Sequence, residues 1–133
     1  MLKKMPIDLS DFHFEHKQWM RELYFWKDEL KTFQNRLAEL VQRRTDRDVM
    51  AKVEHFQNQF IRHNEVIDTF LHDIKEHEHE LTVLAKNQEH TMSDRFVGGH
   101  VRHREGIDTQ RNIYNELKKE FFSFLITTKC SVK

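Results

Sequence analysis

The feature that most constrains this fold is an unbroken apolar seam in residues 46–90, a stretch of 45 residues without glycine or proline. Apolar side chains and histidines recur there at alternating intervals of four and three residues, which places them on one face of a helix. Such a helix would be roughly 65 Å long. It cannot bury its seam alone, so the rest of the chain is expected to fold back along it. The seam consists of Val49, Val53, Phe56, Phe60, His63, Ile67, Phe70, Ile74, His77, Leu81 and Leu84.

A second seam with the same spacing precedes the first and predicts a helix over about residues 10–44. Asp8 or Ser10 is expected to cap this helix. The two seams are two residues out of phase, which favours a tight reversal near 44–47, with Thr45, Asp46 and Asp48 as cap candidates. One continuous helix with a stutter is the alternative. The second seam consists of Phe12, His16, Trp19, Leu23, Trp26, Leu30, Phe33, Leu37 and Leu40.

A third seam predicts a helix over about residues 94–127. Ser93 is a cap candidate, but the adjacent Gly98 and Gly99 each cost a helix about 1 kcal/mol relative to alanine. The helix therefore starts either at Ser93, with a kink, or near His100. The seam consists of Phe96, His100, His103, Ile107, Gln110, Tyr114, Leu117, Phe121 and Phe124. Together the three seams predict an all-α fold: one domain over residues 1–133, an elongated antiparallel three-helix coiled-coil bundle running up-down-up.

The composition of the chain limits the classes of partner that we expect. The chain has 22 basic and 22 acidic residues and no net charge, so we expect neither nucleic acid nor an anionic membrane as partner. The apolar run at 121–126 is far shorter than the ~20 residues that span a bilayer. The single cysteine, Cys130, has no partner for an internal disulfide, which favours a reducing, cytoplasmic compartment. No serine or cysteine stands in a recognisable nucleophile setting, so the chain is not expected to be an enzyme.

Ten histidines are the unusual feature of the composition, since histidine is the commonest metal ligand. Glu76 and His79 have the spacing used by di-iron carboxylate bundles. However, His72, Glu76 and His79 are predicted to face solvent, and Asp108 also lies off its seam. Metal sites in bundles project inward, so these residues are not expected to bind a metal.

The histidines on the seams are the better metal candidates, namely His16, His77, His100 and His103 together with His63. Pairing the first two helices about residue 45 puts His77 beside His13, one turn from His16, so His16 and His77 could approach each other. A reversal centred on residues 92–95 puts His103 opposite residues 82–87, roughly 8–15 Å along the axis from His77. One site shared by His16, His77, His100 and His103 is therefore not expected unless the turn is displaced, although His100 and His103 could chelate an ion with His90. Zinc and iron are the candidate metals. Purely structural histidines, or a pH switch that weakens the bundle near pH 5–6, are the alternatives.

Two surfaces are candidates for partner binding. Phe14 and Phe25 lie three helical turns apart and point away from the seam. Arg95, Arg102 and Arg104 lie in a basic, glycine-containing segment that could bind an anion or an acidic partner. The leading functional hypothesis is a structural or protein-interaction module without a cofactor, which binds a protein partner or associates with itself. The alternative is a histidine-based bundle that binds a divalent metal.

Overall fold

The computed structural model describes residues 9–87 and 93–130. These residues form three helices, α1 (Leu9–Arg43), α2 (Arg47–Lys86) and α3 (Asp94–Cys130), and no strand occurs among them. The all-α, three-helix prediction is confirmed, and the reversal between α1 and α2 excludes one continuous helix. None of the three helices is both long enough and apolar enough to cross a membrane.

Contacts between the helices establish their directions. Phe33 packs against Phe60 close to the α1–α2 reversal, whereas His16 meets His77 far from it, so α1 and α2 are antiparallel. Three pairs of opposite charge join α1 to α3, and each pair follows the last by seven residues. The pairs are Glu15–Arg104 at 2.7 Å, Glu22–Arg111 at 2.7 Å and Glu29–Lys118 at 3.1 Å. This constant offset means that α1 and α3 run parallel, which completes the up-down-up arrangement.

The buried apolar residues form two clusters of unequal size. The large cluster extends from Trp19 to Leu37 in α1 and includes a group of aromatic rings near the α1–α2 reversal. The small cluster consists of Phe12, Leu81 and Phe96, one from each helix, at the other end of the bundle. Between the two clusters each helix contributes at least one buried histidine. The bundle therefore contains a polar layer with apolar packing on both sides.

The helix boundaries differ from prediction mainly in α3. It begins at Asp94, before Gly98 and Gly99, and continues to Cys130, three residues beyond the predicted end. Ser93 caps its first turn, since the Ser93 Oγ accepts a hydrogen bond from the backbone N–H of Phe96 at 3.1 Å. α2 ends at Lys86, and its predicted end at residue 90 lies outside the described residues.

The candidate caps of α1 and α2 occupy different positions. Ser10 lies within the first turn of α1, and Asp8, the alternative cap, lies outside the described residues. Asp46 occupies the cap position of α2 but makes no side-chain bond to the helix. Its carboxylate instead accepts hydrogen bonds from Arg44 at 2.9 and 3.0 Å. A charge-assisted pair with a guanidinium thus replaces the expected bond to the helix backbone.

One core position of α2 differs from the predicted seam. Leu71 is buried, while Phe70 is only half-buried, so the prediction of Phe70 as the core position was wrong. Ile74, His77 and Leu81 are buried as predicted, so the difference is confined to this position. A helix has 3.6 residues per turn, whereas a strict 4-3 pattern repeats every 3.5, so a core-facing position in a long seam can fall on the next residue.

Candidate metal centre

Three buried histidines, one from each helix, meet in the polar layer. His16 of α1, His77 of α2 and His100 of α3 are 1%, 7% and 0% exposed. The ring centroids are 5.2 Å apart for His16 and His77, 4.9 Å for His16 and His100, and 5.6 Å for His77 and His100. The three rings thus surround a common point, although their positions in the sequence span 85 residues.

These separations fit the geometry of an imidazole-ligated ion. With Zn–N bonds of about 2.05 Å in a tetrahedral site, the ring centroids of two ligands lie about 5.2 Å apart. The three candidate ligand nitrogens lie within 4.8 Å of one another, whereas nitrogens on one zinc ion would be roughly 3.3 Å apart. The ligand nitrogens would therefore have to move closer together to bind one zinc ion.

On the side facing away from the other two rings, each of the three histidines donates a hydrogen bond to an acceptor. His16 Nδ1 donates to Glu78 Oε1 at 2.7 Å, and His100 Nε2 donates to Glu15 Oε1 at 2.6 Å. His77 Nε2 donates to the backbone carbonyl of Phe96 at 3.2 Å. Metal-ligating histidines almost always use their second nitrogen in this way. The bonds leave His16 Nε2, His77 Nδ1 and His100 Nδ1 with lone pairs available to a shared ion.

The inward nitrogens are poorly satisfied by the protein itself. His100 Nδ1 is buried and has no hydrogen-bond partner among the described residues. His16 Nε2 and His77 Nδ1 are 3.1 Å apart. With both outer nitrogens donating and both rings neutral, two lone pairs would face each other at that distance. A cation between the rings removes this repulsion, and it can be a metal ion or a proton.

Burial and charge favour neutral rings with anionic groups behind them. Burial is the main reason that the pKa of His77 falls to about 4, and the neighbouring His16 and His103 lower it further. Burial also lowers the pKa of His100, against the raising effect of Glu15. A hydrogen bond from Arg104 lowers the pKa of Glu15, which keeps this carboxylate ionised. Neutral imidazole is the form that binds metal, so lowered pKa values at His77 and His100 favour metal binding by these two rings at neutral pH.

The structure places His103 in the same layer. Its ring lies 5.1 Å from that of His77, at an interplanar angle of 83°. The predicted axial separation of 8–15 Å was therefore wrong. α2 stops at Lys86 and α3 begins at Asp94, so the two helices pair about residue 90 instead of 92–95. His90, the third ligand suggested for His100 and His103, lies outside the described residues.

The remaining histidines and acidic residues lie where the register predicts. His72, Glu76, His79 and Asp108 are exposed. His63 is buried, but away from the polar layer, and its Nδ1 accepts a hydrogen bond from Gln110 Nε2 at 2.9 Å. That contact satisfies His63 within the core, so a structural role accounts for it.

The candidate partner surfaces are largely exposed. Phe14 is 62% and Phe25 is 57% exposed, as their positions off the seam predict. Arg95 and Arg102 are exposed as well. Arg104 instead donates two hydrogen bonds to Glu15, both at 2.7 Å, and its charge is balanced within the bundle. Partner binding at these residues stays a prediction.

Sequence reasoning missed the two carboxylates behind the rings. Glu15 directly precedes His16, and Glu78 directly follows His77. Positions next to a seam face neighbouring helices and commonly form pairs between helices. The available signal was therefore an acidic residue adjacent to a seam histidine, and it occurs in both α1 and α2.

Comparisons of this chain with protein-family models, with curated proteins and with solved structures find no match.

Proposed function

We propose that this protein binds a divalent transition-metal ion through His16, His77 and His100. The observation that supports it is the orientation of the three buried rings. Each outer nitrogen donates to an acceptor, and the inner nitrogens face one another. His16 Nε2 and His77 Nδ1 are 3.1 Å apart, and His100 Nδ1 has no hydrogen-bond partner among the described residues. A bundle that used these histidines only for packing would gain nothing from an unpartnered nitrogen on a fully buried ring, which costs about 1–3 kcal/mol.

Zinc suits the proposed site better than iron. The donors are neutral imidazoles, whereas non-haem iron sites typically add a carboxylate to the inner set. Here the nearby carboxylates, Glu15 and Glu78, bond to the histidines from outside. Their two negative charges balance a divalent ion while the imidazoles bind it directly.

The test is zinc titration of chelator-treated protein, with a chromophoric chelator as competitor. One zinc per chain is expected. His16→Gln, His77→Gln and His100→Gln should each reduce the affinity by more than the roughly 10–100-fold typical of losing an outer hydrogen-bond partner. His79→Gln is the matched control, because His79 lies on α2 two residues from His77 and is exposed. It should bind zinc like the wild type.

Metal binding should also stabilise the folded protein. At a free zinc concentration of 100 times Kd, the gain in the free energy of unfolding is about 2.7 kcal/mol. Wild-type protein that takes up no zinc, nickel, cobalt or copper, and whose melting temperature does not change on adding them, would rule out this function. Equal zinc binding by His77→Gln and His79→Gln would show that the ion sits elsewhere.

Self-association is a second candidate function. Phe14 and Phe25 are more than half exposed and lie on one face of α1, and Tyr24 beside them is also exposed. We propose a second copy of the chain as the partner of this face, because a chain without net charge does not repel its copies. The proposed setting is cytoplasmic, where the single cysteine would stay reduced.

Light scattering tests this second proposal. The wild type is expected as a dimer or larger species, and the double variant Phe14→Ser with Phe25→Ser as a monomer. A wild type that is monomeric at all accessible concentrations would contradict it. Replacing Phe14 and Phe25 does not test metal binding, since His16 on the same helix points inward.

A further inference from the structure

His16, His77 and His100 supply three ligands, and the identity of the fourth ligand on a bound metal is the next question. A four-coordinate ion with three protein ligands keeps one place for water or substrate, whereas a fourth protein ligand closes the site. The two cases imply different functions, because only the open site can activate a bound water. This inference rests on the metal binding proposed above.

His103 has an unsatisfied nitrogen of its own. Its Nδ1 is buried without a hydrogen-bond partner among the described residues, although the ring as a whole is half-buried. Only two buried side-chain nitrogens or oxygens in that part of the chain lack a partner, and the other is His100 Nδ1. Both belong to the same layer of the bundle, so they call for one common explanation.

His103 lies beside the cluster of His16, His77 and His100. It follows His100 by three residues on α3, and residues at that spacing lie on the same side of a helix. Its ring lies 5.1 Å from that of His77, close to the 5.2 Å between His16 and His77. This also agrees with the separation of about 5.2 Å expected between two imidazoles on one tetrahedral zinc.

We propose that His103 is the fourth ligand and that it binds through Nδ1, so that the metal centre is a closed four-histidine site. The half-buried ring leaves its Nε2–H free to donate to solvent. Glu15 and Glu78 then supply the compensating charge from outside the ligand set. A closed site of this kind holds its ion as a structural or stored metal and has no coordination place for hydrolysis of a substrate.

Cobalt substitution tests the proposal, because tetrahedral Co²⁺ has intense visible bands that change when a ligand changes. Wild-type protein loaded with Co²⁺ is expected to show a tetrahedral spectrum that azide does not alter. His103→Ala should bind Co²⁺ at least about tenfold more weakly, and its spectrum should shift on adding azide, since azide enters the vacated position. His79→Ala should behave like the wild type.

The outcomes separate the two proposals. An azide-induced shift in the wild type would show an open position and overturn the role of His103, while leaving metal binding in place. So would a His103→Ala protein with the affinity and spectrum of the wild type. Failure of the wild type to bind Co²⁺ and zinc at all would overturn both proposals. The wild-type azide experiment decides even where His103→Ala does not fold.

Discussion

Glu78 connects the histidine layer to the surface of α1. One carboxylate oxygen accepts from His16 Nδ1 at 2.7 Å, and the other accepts from His13 Nδ1 at 2.5 Å. A carboxylate behind an imidazole fixes its tautomer and makes its inner nitrogen a better donor to a metal. Glu78 therefore acts as a positioning residue for His16.

Replacing Glu78 should weaken metal binding without removing a ligand. Glu78→Ala is expected to lower zinc affinity by roughly 10–100-fold, measured by competition with a chromophoric chelator. Glu76→Ala is the control, because Glu76 lies on the same helix and its only described pairing is with the exposed His72 at 3.3 Å. Equal affinities for the two variants would show that Glu78 does not act on His16.

His63 illustrates how a seam histidine is accommodated without a metal. Burial lowers its pKa, and the nearby Arg62 adds to this effect, while Gln110 donates a hydrogen bond to its Nδ1. The folded state therefore binds this proton less well than the unfolded chain, whose histidine pKa is about 6.5. The stability associated with the neutral ring is fully present well above pH 6.5 and decreases as the pH falls below it.

Removing this pair should flatten the pH dependence of stability. The double variant His63→Leu with Gln110→Leu replaces both partners by apolar groups, which is often nearly neutral for stability. In urea denaturation of chelator-treated protein, we expect its free energy of unfolding to fall less between pH 7.5 and pH 5 than that of the wild type. An equal fall in both proteins would exclude His63 as a contributor.

At the scale of the helices, α3 contains all three glycines and is continuous through them. A Cβ at Gly98 would have as its nearest neighbour the flexible Arg102 Nη1, at 3.8 Å. A Cβ at Gly106 would lie 3.1 and 3.2 Å from two atoms of the Phe70 ring. Phe70 is half-buried against the core, so its ring would have to shift to admit the methyl group.

The two glycines therefore predict different outcomes for the same substitution. Gly98→Ala should raise the free energy of unfolding by about 1 kcal/mol, the difference in helix propensity. Gly106→Ala should gain less than that or lose stability, because the contact with Phe70 opposes the propensity term. Urea denaturation of both variants decides the order. A Gly106→Ala protein as stable as Gly98→Ala would mean that the Phe70 ring moves aside without a cost in the free energy of unfolding.

The helices and their inner faces were predictable from sequence because burial repeats with the turn of the helix. His16, His77 and His100 stood on their seams for that reason. The approach of His77 to His16 follows from the reversal near residues 44–47. The addition of His100 to the same layer was not predictable, since the axial register of α3 depends on where α2 ends and α3 begins. An error of a few residues in the centre of that reversal moved His103 by roughly 8–15 Å relative to His77. Periodicity in one helix carries no information about that register.

At the scale of the whole molecule, the three charge pairs between α1 and α3 help to set the register that brings His100 to His16. Glu22 and Arg111 form the middle pair and lie away from the histidine layer. Arg111 also donates to Asp108 on its own helix at 2.7 Å. Pairs that are partly exposed in this way typically contribute less than about 1 kcal/mol each, so the apolar seams supply most of the stability.

A charge swap tests the contribution of this middle pair. Glu22→Lys should destabilise the protein by about 1 kcal/mol, because two cations then face each other. Adding Arg111→Glu should restore part of the loss, limited by the new repulsion from Asp108. The recovery should shrink in high salt. A double variant no more stable than the sum of the two single changes would show that these side chains do not interact across the helices.

The small apolar cluster at the end of the bundle where α2 ends and α3 begins has a kinetic consequence. Phe12, Leu81 and Phe96 cover the histidine layer, and the ring of Phe12 stacks on His100 with centroids 4.0 Å apart. We expect an ion beneath this apolar cluster to escape when the terminal turns of the helices unfold locally. Zinc release should then proceed at a rate that does not rise with chelator concentration, and Phe12→Ala should accelerate it. The residence time of the ion would thus be set by the rate at which the helix ends unfold locally.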